Sequence, residues 1–557
     1  MKDVFCAELG VSPTTANILI NRGIRKQEEA ETFMRASLDD LVDPFTLKDM
    51  DRVVGRVIKA LRSDEKIVIF GDYDADGITA TALLVEFFKS LGKHADYYIP
   101  HRLEEGYGIS LSALEKIHHD GVKLIITVDC GISSVEEVEA ATRMGMDVII
   151  TDHHEPPEIL PRAYAILNPC LKDSGYPFTG LAGVGVALKL AQGVLAGLDG
   201  KDNAGPGIDP RLIEYLDLVA LGTIADVVPL RGENRILVKH GLHLLKEGRR
   251  LGIRKLKDVA LVNGKTFTST TIGFQMAPRL NASGRLGKAG VGVRLLTTDD
   301  PEEAAAIAEE LDGMNRDRQK IEEVILDEAR SIILSEMDDD SSTIVLSSDM
   351  WHQGVIGIVA SKLVEEFYKP TVLISMNDDM GKGSARSIHA FHLYNGLDLC
   401  SRHLEGFGGH KYAAGLSIKR ENLGPFKKDF ESLVSGSLTP EDFIPSIKID
   451  AELTIGELDW RLYEELSALD PYGAGNPEPV LEARRVEVLY PKLVGKNHVR
   501  MRMAQDGSVI NSIGFNMGDI YQSLAMRKVR VDAAFCLGIN EWQGEKRLQL
   551  HLKDIHF

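Results

Sequence analysis

The apolar run Ile67-Val68-Ile69-Phe70 stops at Gly71-Asp72-Tyr73-Asp74-Ala75-Asp76-Gly77, so three alternate carboxylates follow directly on what reads as a buried parallel strand. In open α/β sheets ligands bind beyond the carboxyl ends of the strands. Carboxylates this close repel one another unless something neutralises them, and a divalent cation with oxygen ligands does so most simply. A solvated Asp-Gly turn would account for this segment taken alone.

Two further strand ends repeat the pattern. Lys123-Leu124-Ile125-Ile126-Thr127-Val128 runs into Asp129-Cys130-Gly131, and Asp147-Val148-Ile149-Ile150-Thr151 runs into Asp152-His153-His154. A fourth acid, Asp226, lies in the otherwise apolar stretch Leu221 to Leu230, where an unpaired carboxylate is costly. Carboxylates with one or two imidazoles and no thiolate pattern suit manganese, with magnesium as the alternative, better than zinc. Cys130 has no second cysteine nearby to make a thiolate site. Roughly five or six ligands suffice for two ions sharing a carboxylate, an arrangement suited to water attack on phosphorus.

With these residues in hand, the chain resembles the DHH phosphoesterases, through Asp72 to Gly77, Asp129, Asp152-His153-His154 and Asp226. The resemblance narrows along the chain. Pro278-Arg279-Leu280-Asn281-Ala282-Ser283-Gly284-Arg285, Gly383-Ser384-Ala385-Arg386-Ser387 and Gly406-Phe407-Gly408-Gly409-His410-Lys411-Tyr412-Ala413-Ala414-Gly415 are similar to the later motifs of the RecJ branch, bacterial single-strand-specific 5′ to 3′ DNA exonucleases. Ala385 stands where that pattern often has glycine, and Ser283 where it often has alanine; both are small.

The resemblance implies that Asp72, Asp74, Asp76, Asp129, His153 and Asp226 hold the metals, with Asp129 bridging. Asp152 and His154 would orient the site. Arg279, Asn281, Arg285, Ser384, Arg386, Gly408, Gly409 and His410 would grip phosphates, with His410 over the scissile one and Arg102 near the 5′ end. Catalysis would thus rest on Asp129, His154, His410 and Arg279. The implied partners are single-stranded DNA, single-strand-binding protein and a repair helicase. A DHH oligoribonuclease or cyclic-dinucleotide phosphodiesterase would share the metals without needing a C-terminal barrel, and an inactive DNA-binding scaffold would not need every acid.

The net charge of -19 is unusual for a DNA-binding chain. Metal-site acids count toward that total although bound cations reverse their local field. Arg102, Arg279, Arg285, Lys382, Arg386, His410 and Lys411 fall within or beside the motifs, which predicts a basic groove. The five scattered cysteines argue against a disulfide framework and for a reducing compartment. With no apolar run of about 18 residues and no signal peptide at the start, a cytoplasmic protein without membrane contact is expected.

The 557 residues divide on pattern into a helical accessory segment at 1 to 50, an α/β catalytic domain with a parallel sheet at 51 to 300, a long connecting helix at 301 to 342, a smaller α/β domain at 343 to 444, and an OB-like barrel at 445 to 557. In the family's terms these are the DHH, DHHA1 and OB domains. Ile307, Leu311, Met314, Ile321, Ile325, Ala329 and Ile332 mark the long helix, interrupted at Arg318 and opened by Pro301-Glu302-Glu303. At 1.5 Å per residue it reaches roughly 50 Å. Gly383 to Ser387 reads as a small-residue turn whose N–H groups could approach an anion. In the barrel, strands are expected at 447 to 455, 481 to 489, 498 to 503, 508 to 515, 530 to 537 and 547 to 553, with Tyr490, Lys492, Lys496, Arg500, Arg502 and Trp542 as candidate strand contacts.

Overall fold

A computed structural model describes residues 1–101, 105–106, 108–264, 267–288, 290–338, 340–525, 530–542 and 544–557. Arg102, the expected 5′-end contact, and Gln543 lie outside the described residues. The chain divides into two compact units. The first comprises Met1–Ala277, Val293–Ala304 and Lys448–Phe557, the second Pro278–Gly292 and Ala305–Ile447.

The first unit holds a parallel sheet of β1 (Ile67–Gly71), β2 (Asp96–Tyr98), β3 (Leu124–Val128), β4 (Asp147–Thr151) and β5 (Ala165–Leu167), in the order β2-β1-β3-β4-β5. β1 and β3 are buried at every position, as continuous apolar runs require when helices cover both faces. The order reverses between β1 and β3, the kind of switch point where open α/β sheets bind ligands. Register sharpens this: Gly71 pairs with Val128, and Val128 with Thr151, so Asp72, Asp129 and Asp152 are the next residues on three adjacent strands.

The C-terminal part of this unit is a closed barrel. β11 (Ala451–Glu452) leads into β12 (Leu481–Val494), β13 (His498–Gln505), β14 (Ser508–Gly514), β15 (Arg530–Trp542) and β16 (Glu545–His556), and the additional β12–β15 pairing closes a ring of five strands. The expected first strand shrinks to two residues because Thr454 and Glu457 form a capping box that turns the chain into a 3-10 helix. The N-terminal helices Lys2–Leu9, Pro13–Asn21 and Gln27–Arg35 bury Phe5, Ile18, Leu19 and Ala30 in the same apolar core as barrel residues Leu481, Val499 and Phe535. No periodicity in the sequence announces that partnership. Arg235, 1% exposed, adds a polar tie: it donates to the carbonyls of Phe33, Ala468, Leu469 and Asp470.

The second unit is built on a mixed sheet of β6 (Ile344–Ser348), β7 (Thr371–Asn377), β8 (Met380–Arg386), β9 (Leu404–Gly409) and β10 (Ala413–Lys419), ordered β6-β7-β8-β10-β9. The long helix is present as Pro301–Glu336. Its break in apolar pattern at Arg318 is a buried ion pair, Arg318 to Glu322 at 3.1 Å, with Asn315 accepting a second bond at 2.8 Å.

Candidate metal centre

The loop after β1 turns straight into the helix Ala75–Ser90, and Asp74 caps it, Oδ1 accepting from the N–H groups of Asp76 at 2.9 Å and Gly77 at 3.1 Å. A Cβ at Gly77 would lie 2.6 Å from the Asp72 carbonyl oxygen, so the turn admits only glycine there. Asp76 points at a second helix, Gly183–Leu198, accepting from Gly183 N–H at 2.6 Å and Val184 N–H at 2.9 Å. Asp129 occupies the left-handed region at φ 61° and is 1% exposed, a strained conformation of the kind that functional sites retain.

Asp152 organises the two histidines. Its Oδ1 accepts from the backbone of His153 and His154 and from His154 Nδ1 at 2.7 Å, while Oδ2 accepts from Ile132 N–H at 2.9 Å. Burial opposes the Asp152 charge, yet these bonds outweigh it and hold the carboxyl below its usual range. His154 is disfavoured as a cation by burial, and Asp152 more than restores it, so its pKa is raised. His153 goes the other way, pushed down to about 4 by burial and by His154. Its ring is therefore neutral near pH 7. Among the described residues its Nε2 has no hydrogen-bond partner, although it lies 3.1 Å from Asp129 Oδ1 and 3.5 Å from Asp226 Oδ2.

Those distances carry the chemistry. A neutral imidazole nitrogen and two carboxylate oxygens converge on one point, and three sets of ligand atoms each fall within 4.8 Å: Asp129, His153 and His154; Asp76, His153 and Asp226; Asp72, Asp74 and Asp129. Asp129 and His153 each belong to two sets. Burial and neighbouring acids push Asp76 up to about 7, Asp226 up to about 9 and Asp129 well above the carboxylate range. These residues fit a divalent ion, which would replace that repulsion with attraction. The donor set is oxygen and imidazole. Cys170 stays a thiol, its pKa raised to about 11 by burial, with Sγ against the carbonyl oxygens of His153 and Thr179.

The remaining expected residues lie in the second unit. Arg279 is ion-paired to Asp312 at 2.8 Å, Arg285 donates to the Gly354 carbonyl at 2.8 Å, and Asn281 is partly buried. Gly383 to Arg386 lies in strand β8 rather than in a turn. Gly383 is small because a Cβ there would lie 2.7 Å from Leu416 Cδ1 across the sheet, a packing reason distinct from anion approach. Among the described residues, nevertheless, no acid lies against Arg386. Its Nη1 meets Ser384 Oγ at 3.2 Å and the Ala385 carbonyl at 2.8 Å, and Nη2 would be 3.2 Å from a Cβ on Gly357, at the start of the helix Ile356–Phe367. Gly408, Gly409 and His410 are exposed in the β9 to β10 hairpin. The segment from Trp351 to Gly357, which the sequence did not single out, touches both arginines: the Gly354 carbonyl accepts from Arg285, and Gly357 lies beside Arg386.

On the barrel, Tyr490, Lys492, Arg500 and Arg502 line one concavity of about 480 Å³, and Lys496 sits in the turn outside it. The side chain of Trp542 is outside what is described. Among the described residues no helix is long and apolar enough to cross a membrane.

Comparison with known proteins agrees with this geometry. Residues 66–223 match the DHH family N-terminal domain, 340–436 the DHHA1 domain and 449–554 the RecJ OB domain. The single-stranded-DNA-specific exonuclease RecJ of Bacillus subtilis (strain 168) is 38% identical over 551 residues, covering 98% of this chain and 68% of that protein. The Escherichia coli (strain K12) RecJ is 36% identical over 98% of this chain and 96% of its own length. The crystal structure of RecJ in complex with Mn2+ from Thermus thermophilus superposes with a TM-score of 0.84 at 31% identity, covering 100% of this chain and 78% of that one, and the same protein's Mg2+ complex gives 0.78. With its acids set in register on a parallel sheet and its own length matched almost end to end by these relatives, the chain belongs to the RecJ family of DHH phosphoesterases.

Proposed function

We propose that this chain is a single-stranded-DNA-specific exonuclease that hydrolyses phosphodiester bonds in the 5′ to 3′ direction and acts in DNA repair and recombination. The observation that carries the reading is the convergence of Asp72, Asp129, His153 and Asp226 in a chain matched almost end to end by relatives named for that activity. Asp72, Asp74, Asp76, Asp129, His153 and Asp226 would hold two ions, manganese with magnesium as the alternative, sharing Asp129. When bound, such ions neutralise the carboxylates and provide Lewis acidity for water attack on phosphorus.

The chain's own residues do the positioning. Asp152 fixes the backbone of both histidines and the ring of His154, which supports His153 as a positioning residue. Arg386, partly buried and with no carboxylate against it among the described residues, is suited to a phosphate, and Ser384 is within its reach. Arg279, Asn281, Arg285, Gly408, Gly409 and His410 complete the phosphate grip, and Arg102 serves the 5′ end. In this reading 51–300 is catalytic, 301–342 connects, 343–444 holds nucleotides and 445–557 holds the strand through Tyr490, Lys492, Arg500 and Arg502, with 1–50 accessory. A cytoplasmic location, with single-strand-binding protein and a repair helicase as partners, belongs to the same proposal.

The test is manganese-dependent digestion of end-labelled single-stranded DNA, blunt duplex DNA, single-stranded RNA and a dinucleotide side by side. Release of mononucleotides from the 5′ end of single-stranded DNA is expected. Faster turnover of the dinucleotide would favour the phosphodiesterase reading, and binding without turnover the scaffold reading.

A further inference from the structure

The strongest local charge excess lies away from the metal centre. Between residues 239 and 257 stand seven cations, Lys239, Lys246, Arg249, Arg250, Arg254, Lys255 and Lys257, against one acid, Glu247, in a chain of net charge -19. Three of the seven have structural work. Lys239 donates to the carbonyls of Met34 and Arg35, Lys257 to those of Leu245 and Lys246, and Arg250 pairs with buried Asp217 at 3.0 Å. Among the described residues the rest have no such tie to the fold, and Arg249 and Arg254 open onto a cavity of about 750 Å³.

The cavity has a mixed lining of charged and apolar residues. Arg211, Arg249 and Arg254 face it, and Ile213, Leu244 and Leu296 line it. Arg211 is held by Asp199 and Asp209, both at 2.7 Å. Arg249 touches only the exposed Glu247, and the Arg254 guanidinium makes no ion pair or hydrogen bond among the described residues. Acids also line the space: Glu86 and Asp299 share the single cation Lys89, at 3.4 and 2.8 Å, Asp217 is paired with Arg250, and Glu214 stands beside them.

We infer that this cavity is a second binding site, for an organic phosphate of nucleotide size. Guanidinium forks suit the oxygens of a phosphate, and the volume far exceeds that of a free ion, so the apolar lining residues Ile213, Leu244 and Leu296 accommodate the organic body. The site is separate from the metal centre. The helix Leu216–Ala225 carries Asp217 beside the cavity at one end and is capped by Asp226 at the other, about 13 to 14 Å away at 1.5 Å per residue. The helix Ala75–Ser90 runs likewise from Asp76 to Glu86.

The inference is independent of the nuclease reading, because binding is read without turnover. Thymidine monophosphate, inorganic phosphate and a long thymidine oligonucleotide are each titrated onto the full chain in EDTA, with hydrogen exchange followed by peptide. Protection at 251–254 and 296–299 is expected, with thymidine monophosphate binding more tightly than inorganic phosphate. Arg249→Ala with Arg254→Ala should weaken binding at least about tenfold, as lost charge-assisted bonds do, and Arg254→Glu more so. The variants should digest short single strands at the wild-type rate. Protection by the oligonucleotide alone would support the site and identify its phosphate as that of a bound strand. Absence of protection by both, or equal affinity in the double variant, would overturn the inference.

Discussion

A Cβ added to Gly183 would lie 2.6 Å from the Cβ of Asp129 and 2.8 Å from its Oδ1. The absence of a side chain at Gly183 lets the helix Gly183–Leu198 approach the strained aspartate while its first N–H groups hold Asp76. Gly183→Ala should therefore move two metal-centre carboxylates together. Displacements of about 1 Å cost on the order of a hundredfold in rate, and overpacking costs about 1–3 kcal/mol of stability. Comparing manganese-dependent turnover with thermal unfolding separates the two, and a variant that unfolds earlier yet turns over normally would contradict the positioning role.

Asp129→Ala should abolish hydrolysis with the fold intact, a loss of several orders of magnitude by analogy with other transition-state stabilisers. Circular dichroism checks the fold, and near-wild-type turnover at saturating manganese would exclude Asp129 as the shared ligand.

Removing divalent metal should reverse the pH dependence of stability at this site. In the metal-free chain the folded-state pKa values of Asp76 and Asp226 are raised to about 7 and about 9, above an unfolded value near ~3.9. The contribution is fully present below the unfolded value and lost as pH rises through the folded ones, so thermal stability in EDTA should fall between pH 5 and 9, by about the range those values span. With manganese bound the carboxylates must be ionised, and the fall should disappear. Identical melting curves with and without the metal across that range would count against the metal centre.

Arg386→Ala should weaken single-strand binding and flatten its salt dependence by about 0.7 to 1 in log-log slope, the value for one phosphate contact. Manganese affinity, measured separately, should not change. Fluorescent single-strand titrations at several salt concentrations provide the slope.

Deleting 448–557 should destabilise more than the barrel itself. Phe5, Ile18 and Leu19 would lose their apolar partners, and Arg235 three of its four carbonyl acceptors. Leaving a buried charge unsatisfied costs about 3–5 kcal/mol. Deletion of 1–36 together with the barrel and Arg235→Met should recover a more protease-resistant piece than deletion of the barrel alone. Limited proteolysis of the two truncations decides the matter.

The acids that end β1, β3 and β4 were legible in the sequence because a buried strand must be an uninterrupted apolar run, and a carboxylate ending one is conspicuous. The same logic made the long helix and the strand-rich C-terminal part visible, since both rest on local periodicity. Gly383 to Arg386 misled for the converse reason. Glycines excluded from bulk by Leu416 across a sheet look the same in one dimension as glycines in a turn. Gly183 against Asp129, the N-terminal helices against the barrel and Arg235 among distant carbonyls connect residues 54 to more than 500 positions apart. Contacts at that separation leave no spacing to read, because steric fit and hydrogen-bond satisfaction act between chain segments that only the folded structure brings together.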